Sequence, residues 1–230
     1  MERSGAIVAI GGGGFTHQCD PSLDDFCLHL LPPLPSIGFV GMASGDAPEK
    51  IERFYDRFKG HSETLSHLPH GASFAETSDW LAGKDMVYFG GGNSELLVRQ
   101  LRERNLASLF QRANKQGLVL AGVSAGGICW FDWAFSDAGG NGYSVLKGLG
   151  LVASGVCPHY REEPERRPAF EALVATDASL SGYAIDDGAC VVAYAGQVKG
   201  YFSAREGSAA YLVSGSDTLG LRSKTLPQLT

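Results

Sequence analysis
Apolar and polar positions alternate along the first half of the chain in two periods. Short apolar runs that end in glycine or a small residue read as buried strands: 5–12 (GAIVAIGG), 37–44 (IGFVGMAS), 85–93 (DMVYFGGGN) and 118–127 (LVLAGVSAGG). Between them lie segments of helical period. Residues 47–60 place Ile51, Phe54, Tyr55 and Phe58 on one face and stop at Gly60, and 22–31, 94–105 and 106–117 also read as helices. Residues 62–68 predict a further strand, with His61, His67 and His70 around a segment suited to a sheet edge. Parallel strands need crossover connections, and helices usually supply them, so this alternation predicts an α/β fold. After about residue 140 the pattern changes. Residues 151–157 predict a strand, and 183–202 (YAIDDGACVVAYAGQVKGYF) predict short antiparallel strands joined by tight turns. No linker or repeat divides the chain, so residues 1–230 are expected to form one α/β domain with antiparallel strands added at its C-terminal end.

Composition narrows the function. The chain has 230 residues, 44% hydrophobic and 19% charged, with a formal net charge of −6. No Lys/Arg run supplies the electrostatic footprint of a nucleic-acid binder. No apolar stretch reaches the roughly 18 residues that a membrane span needs. The N-terminal apolar run flows into glycines, as a first strand and turn would, rather than into a signal-peptide cleavage site. Five scattered cysteines (Cys19, Cys27, Cys129, Cys157 and Cys190) without a C-x-x-C pair favour free thiols in a reducing cytoplasm over disulfides or a zinc site. Cys157, two residues before His159, is expected to pack.

Three glycine turns follow three of the strands, at 11–14, 90–93 and 122–127. Ligands of open parallel sheets bind outside the carboxyl ends of the strands, so the three turns are expected to meet at one edge. A nucleotide is not indicated. Thr16 stands where G-x-G-x-x-G needs its third glycine, and no G-K-[ST] is present. The third turn, Gly122-Val123-Ser124-Ala125-Gly126, matches G-x-S-x-G, in which a sharp strand-to-helix turn exposes a nucleophilic hydroxyl. A serine nucleophile needs a base, and His159 is the one histidine that follows it in the chain. The imidazole needs an orienting acid. Asp132, Asp137, Asp186 and Asp187 are all available, and spacing does not choose among them. Two residues after the histidine, where a glutamine amidotransferase carries its acid, this chain has Arg161.

Taken together, FGGGN (89–93), GVSAGG (122–127), PHY (158–160) and IDDG (185–188) resemble, in this order, the S51 serine peptidases, which include peptidase E (aspartyl dipeptidase) and the cyanophycinases. The resemblance implies a three-layer α/β/α fold like that of class I glutamine amidotransferases, with a mostly parallel central sheet. It implies Ser124 as nucleophile, His159 as general base and Asp187, where the family usually has Glu, as the acid, with Asp137 as its rival. Backbone N–H groups of Gly92 and Ala125 would form the oxyanion hole, and Asn93 would contact substrate. The implied substrate is a small peptide, an Asp-X dipeptide, whose acidic side chain would be read by a cation such as Arg166, with Arg161 and Arg167 nearby. No metal or other cofactor is implied, and the oligomeric state, a homodimer included, is left open. A cyanophycinase-like hydrolase of β-Asp-Arg material, an esterase or acyl-transfer enzyme on the same elbow, and a non-catalytic binding module are the alternatives.

Overall fold
A computed structural model describes residues 4–140, 142–177, 179–215, 221–225 and 227–229. Strand and helix alternate through the first half, as the pattern predicts. The order is β1 (Ile7–Ile10), α1 (Pro21–His29), β2 (Ser36–Val40), α2 (Pro48–Phe58), β3 (Thr64–His67), α3 (Phe74–Leu81), β4 (Met86–Phe89), α4 (Ser94–Glu103), α5 (Ala107–Lys115) and β5 (Val119–Val123). Local chemistry sets the helix starts. Proline opens α1 and α2, where its missing N–H would have been unpaired in any case. Ser73 and Glu76 form a reciprocal capping box on α3. That helix buries only Thr77 and Leu81, so it leaves little apolar period for a sequence reading to find.

The central sheet has strand order β11-β10-β1-β5-β4-β2-β3. Strands β1, β5, β4, β2 and β3 are parallel. At the other side β10 (Ala189–Tyr194) and β11 (Gln197–Ser203) run antiparallel. Alternate residues of each strand face opposite sides. Val8, Ile10, Phe39 and Tyr88 pack against Leu23 and Phe26 of α1 and Phe54 and Phe58 of α2. Ile7, Ala9, Phe89 and Leu120 pack against Leu97 and Leu101 of α4 and Phe110 of α5. Covered on both faces, these strands read in sequence as continuous apolar runs.

The second half differs from the expectation. The helix after Ser124, α6 (Ala125–Ile128), lasts four residues, and the chain then builds a second sheet. Its strands are β6 (Phe131–Ser136), β7 (Ser144–Lys147), β8 (Val152–Cys157), β9 (Ser181–Ile185), β12 (Ala210–Gly215) and β13 (Leu221–Thr225), in the order β13-β12-β9-β8-β6-β7. Strand β8 is parallel to both β6 and β9, and the remaining pairs are antiparallel. Helix α7 (Arg166–Ala175) covers one face of this sheet through Phe170 and Val174. The antiparallel C-terminal strands are thus divided between two sheets. Asp186-Asp187-Gly188 is not the tip of a hairpin: it carries the chain from β9 in the second sheet to β10 in the first. Among the described residues no helix is long and apolar enough to cross a membrane.

Candidate active site
Strand β5 lies between β1 and β4 and is parallel to both. The three glycine turns therefore emerge side by side at one sheet edge. At the middle one, Ser124 has φ 50° and ψ −121°, a sparsely populated conformation for a residue with a side chain, costing about 1–3 kcal/mol. The surrounding backbone holds it there. Ser124 N–H donates to the Ile10 carbonyl at 2.9 Å, and the Ser124 carbonyl accepts from Gly127 and Ile128 N–H, both at 2.9 Å. The turn is tight enough to require its flanking glycines. A Cβ on Gly126 would stand 2.8 Å from the Gly90 carbonyl oxygen, and one on Gly122 2.9 Å from that of Phe89.

The second sheet supplies the partners. Adjacent parallel strands β8 and β9 end beside each other. Pro158 and His159 follow β8, and Asp186 and Asp187 follow β9. His159, also at positive φ (51°), places Nε2 3.0 Å from Ser124 Oγ and Nδ1 2.5 Å from Asp187 Oδ1. An ionised carboxylate only accepts, so Nδ1 carries the proton and Nε2 accepts from the serine hydroxyl. Asp187 is anchored to the first glycine turn: it forms a parallel bridge with Gly12, and Gly188 N–H donates to the Gly12 carbonyl at 2.8 Å. A side chain on Gly12 would run into the Asp187 carboxylate, with Cβ 2.6 Å from Oδ2 and nearer still to Oδ1. This intimacy lets an aspartate, one methylene shorter than the expected glutamate, reach the ring. Arg161 grips the neighbouring carboxylate, with Nε 2.9 Å from Asp186 Oδ1 and Nη2 2.5 Å from Oδ2; Ala209 N–H also donates to Oδ2 at 2.9 Å.

The other named residues fall into place around this chain of contacts. Asp137, the rival acid, pairs with Arg166 at 3.2 Å rather than with His159. In the turn after β4, Gly92 has φ 149°, and a Cβ there would lie 2.6 Å from the Ala43 carbonyl carbon. Among the described residues the backbone N–H groups of Gly92 and Ala125 have no acceptor within the protein, which suits them to a developing oxyanion. Asn93, expected to contact substrate, is occupied otherwise. Its Oδ1 caps α4 by accepting from Leu96 N–H at 2.8 Å, its Nδ2 donates to the Ala138 carbonyl at 3.3 Å, and it does not line the cavity. Cys157 and Cys129 are buried, and burial raises both thiols well above the ordinary range, so neither offers a thiolate. Among the described residues no group of three or more His, Cys, Asp or Glu side chains is arranged to hold a metal ion.

A cavity of ≈ 280 Å³ opens on Ser124 and His159. Arg166 lines it but is 2% exposed. Its Nε donates to Glu163 Oε2 at 2.8 Å, Asp137 holds its far end, and its guanidinium lies 4.8 Å from the centre of the Tyr143 ring. The two acceptor carboxylates raise its pKa against the opposing effect of burial. Two lining residues carry no sequence signal, His17 and Lys50. Gly13 N–H donates to His17 Nδ1 at 2.7 Å, fixing the proton of the neutral ring on Nε2. Burial, then the nearby His159, lowers the His17 pKa. Lys50 Nζ donates to the Gly91 carbonyl at 2.9 Å.

The profile of Peptidase family S51 matches residues 7–200. The chain belongs to this family. It is a peptidase by that membership, and it is 40% identical over 214 residues to the uncharacterized peptidase YgaJ of Bacillus subtilis (strain 168), covering 90% of this chain and 91% of that one. Two solved structures share the fold of this S51 member. A peptidase from an acI-B1 actinobacterium superposes with a TM-score of 0.72 at 18% identity, over 98% of this chain and 96% of its own. A candidate peptidase E from Listeria monocytogenes EGD-e gives 0.62 at 18% identity, over 84% and 96%.

Proposed function
We propose that this S51 member is a serine-type dipeptidase that works through an acyl-enzyme. The observation that carries the reading is the Asp187–His159–Ser124 relay, with links of 2.5 and 3.0 Å. Ser124 Oγ attacks the scissile carbonyl carbon as its proton passes to His159 Nε2. Asp187 holds the Nδ1–H and stabilises the imidazolium. The carbonyl oxygen becomes an oxyanion beside the N–H groups of Gly92 and Ala125, each a contribution of about 3–4 kcal/mol in comparable sites. His159 then protonates the leaving amine as the C–N bond breaks. Water, deprotonated by the same imidazole, hydrolyses the ester and returns the serine.

The acyl side of the cavity bears on specificity. An Asp-X preference calls for a free cation, and Arg166 is the residue expected to provide it. Arg166 is held by both Asp137 and Glu163, so this cluster carries one net negative charge. That balance supports recognition of a free α-ammonium group and weakens the case for an acidic first residue. It also favours, as a second reading, a substrate with a guanidinium group such as β-Asp-Arg. The test is a panel of Ala-Leu, Asp-Leu, Glu-Leu and β-Asp-Arg with wild-type protein and Ser124→Ala, alongside fluorophosphonate labelling. Hydrolysis and labelling that both vanish in a folded Ser124→Ala protein support the reading. Unchanged hydrolysis in that variant refutes it.

A further inference from the structure
The ionic groups of the cavity form two sets. Arg166, Asp137 and Glu163 form the paired cluster already described, which keeps one net negative charge. Lys50 stands apart: its only hydrogen-bond partner among the described residues is the Gly91 carbonyl, and the charges that act on it, Glu49 and Arg53, belong to its own helix. It lines the same cavity as Ser124 and His159, and the residue it bonds packs beside the serine, since a Cβ placed on Gly91 would lie 3.5 Å from that of Ser124. Lys50 is therefore a cation with an open hydrogen-bonding capacity, since an ammonium has three donors and one is used.

The chemistry fixes what stands on its side of the site. His159 must hand its proton to the leaving amine, so the leaving residue lies on the imidazole's side of Ser124. His17 is on that side, its ring centre 6.1 Å from that of His159, and Lys50 is near enough to act electrostatically on His17. We propose that Lys50, with the Nε2–H of His17 beside it, binds the α-carboxylate of the leaving residue, so that the site selects dipeptides over amides and longer peptides. An added residue would carry the carboxylate roughly 3.5 Å further along, past the ammonium. A charge-assisted bond in a partly buried site discriminates strongly against a neutral amide. This inference rests on Ser124 being the nucleophile and adds the group that measures substrate length.

The experiment compares Ala-Leu with Ala-Leu amide, or whichever dipeptide and amide pair the panel favours. The expected result is a kcat/KM at least about tenfold higher for the free acid. Lys50→Met brings that ratio toward one by raising KM for the free acid, and Lys50→Arg restores most of it. The ratio cancels any general loosening of the Gly91 turn, which would slow both substrates alike. Wild-type protein that treats acid and amide equally, or a Lys50→Met variant that loses both in proportion, overturns the inference. Fluorophosphonate labelling separates the two levels. A labelled Ser124 without acid–amide discrimination refutes the role of Lys50 alone, and an unreactive Ser124 in wild-type protein removes the foundation of both.

Discussion

Gly12 sits nowhere near the nucleophile in sequence, yet Gly12→Ala is expected to disable it. The new Cβ would lie 2.6 Å from Asp187 Oδ2 and closer to Oδ1, whereas ordinary contacts begin at 3.4 Å. The carboxylate must retreat by about 1 Å, because a backbone bridged at Gly12 and packed on both sides has little room to yield. The 2.5 Å link from Asp187 to His159 Nδ1 then opens to about 3.5 Å, beyond hydrogen-bonding range. Complete loss of the orienting acid costs roughly 10⁴ in kcat in other triads. Here the charge stays nearby, so Gly12→Ala should lose about 10²–10³, some 3–4 kcal/mol of transition-state stabilisation. Steady-state kinetics on the preferred dipeptide measures this, and thermal unfolding checks that the fold survives. Asp187→Asn should lose about 10⁴. The double variant should be no slower than Asp187→Asn alone, since both changes remove one interaction. A folded Gly12→Ala protein within threefold of wild-type kcat would refute the coupling between this glycine and the triad.

Two further predictions concern stability. Asp24 is fully buried beside Arg57, and burial raises its carboxyl pKa to about 6 from 3.8. Its folded pKa lies above the unfolded one, so the native state binds the extra proton between about pH 4 and pH 6, and stability falls as pH rises through that window. The loss amounts to about 3 kcal/mol; denaturant unfolding at pH 4 and pH 7 should show it, and an equal slope in Asp24→Asn would contradict it. At the elbow, Ser124→Gly should be more stable than Ser124→Ala by about 1 kcal/mol, or ~2–4 °C in Tm, because glycine adopts a positive φ without strain. Calorimetry that ranks the two variants the other way would show that the turn stores no strain.

The sequence made the central sheet legible because β1, β4 and β5 are covered on both faces and read as unbroken apolar runs. The second sheet was legible only in part, at the runs that form β8 and the end of β9. Residues 125–131 run on as small and apolar residues from α6 into the start of β6, so the period never announces the change from helix to strand. Strand β7 is largely exposed and lacks an apolar face to detect. At the site, the elbow was readable from its own glycines, since local crowding demands them. The carboxylate that contacts His159 was not, because spacing left four aspartates open and only the family resemblance singled out Asp187. His17 and Lys50 were invisible for a related reason. Their meaning comes from the tertiary neighbours that surround them, and nothing in GFTHQ or APEKI marks those neighbours. Arg166 and Asn93 present the opposite case: both carry the expected chemistry, and the fold pairs their polar atoms with neighbours that the sequence does not reveal.

Asp186 and Asp187 are chemically identical twins, and a strand end that slipped by one residue would offer His159 the wrong one. The forked grip of Arg161 on Asp186 makes such a slip break an ion pair. The arginine that occupies the amidotransferase acid position thus serves as a register pin, telling two equal carboxylates apart by sequestering one of them.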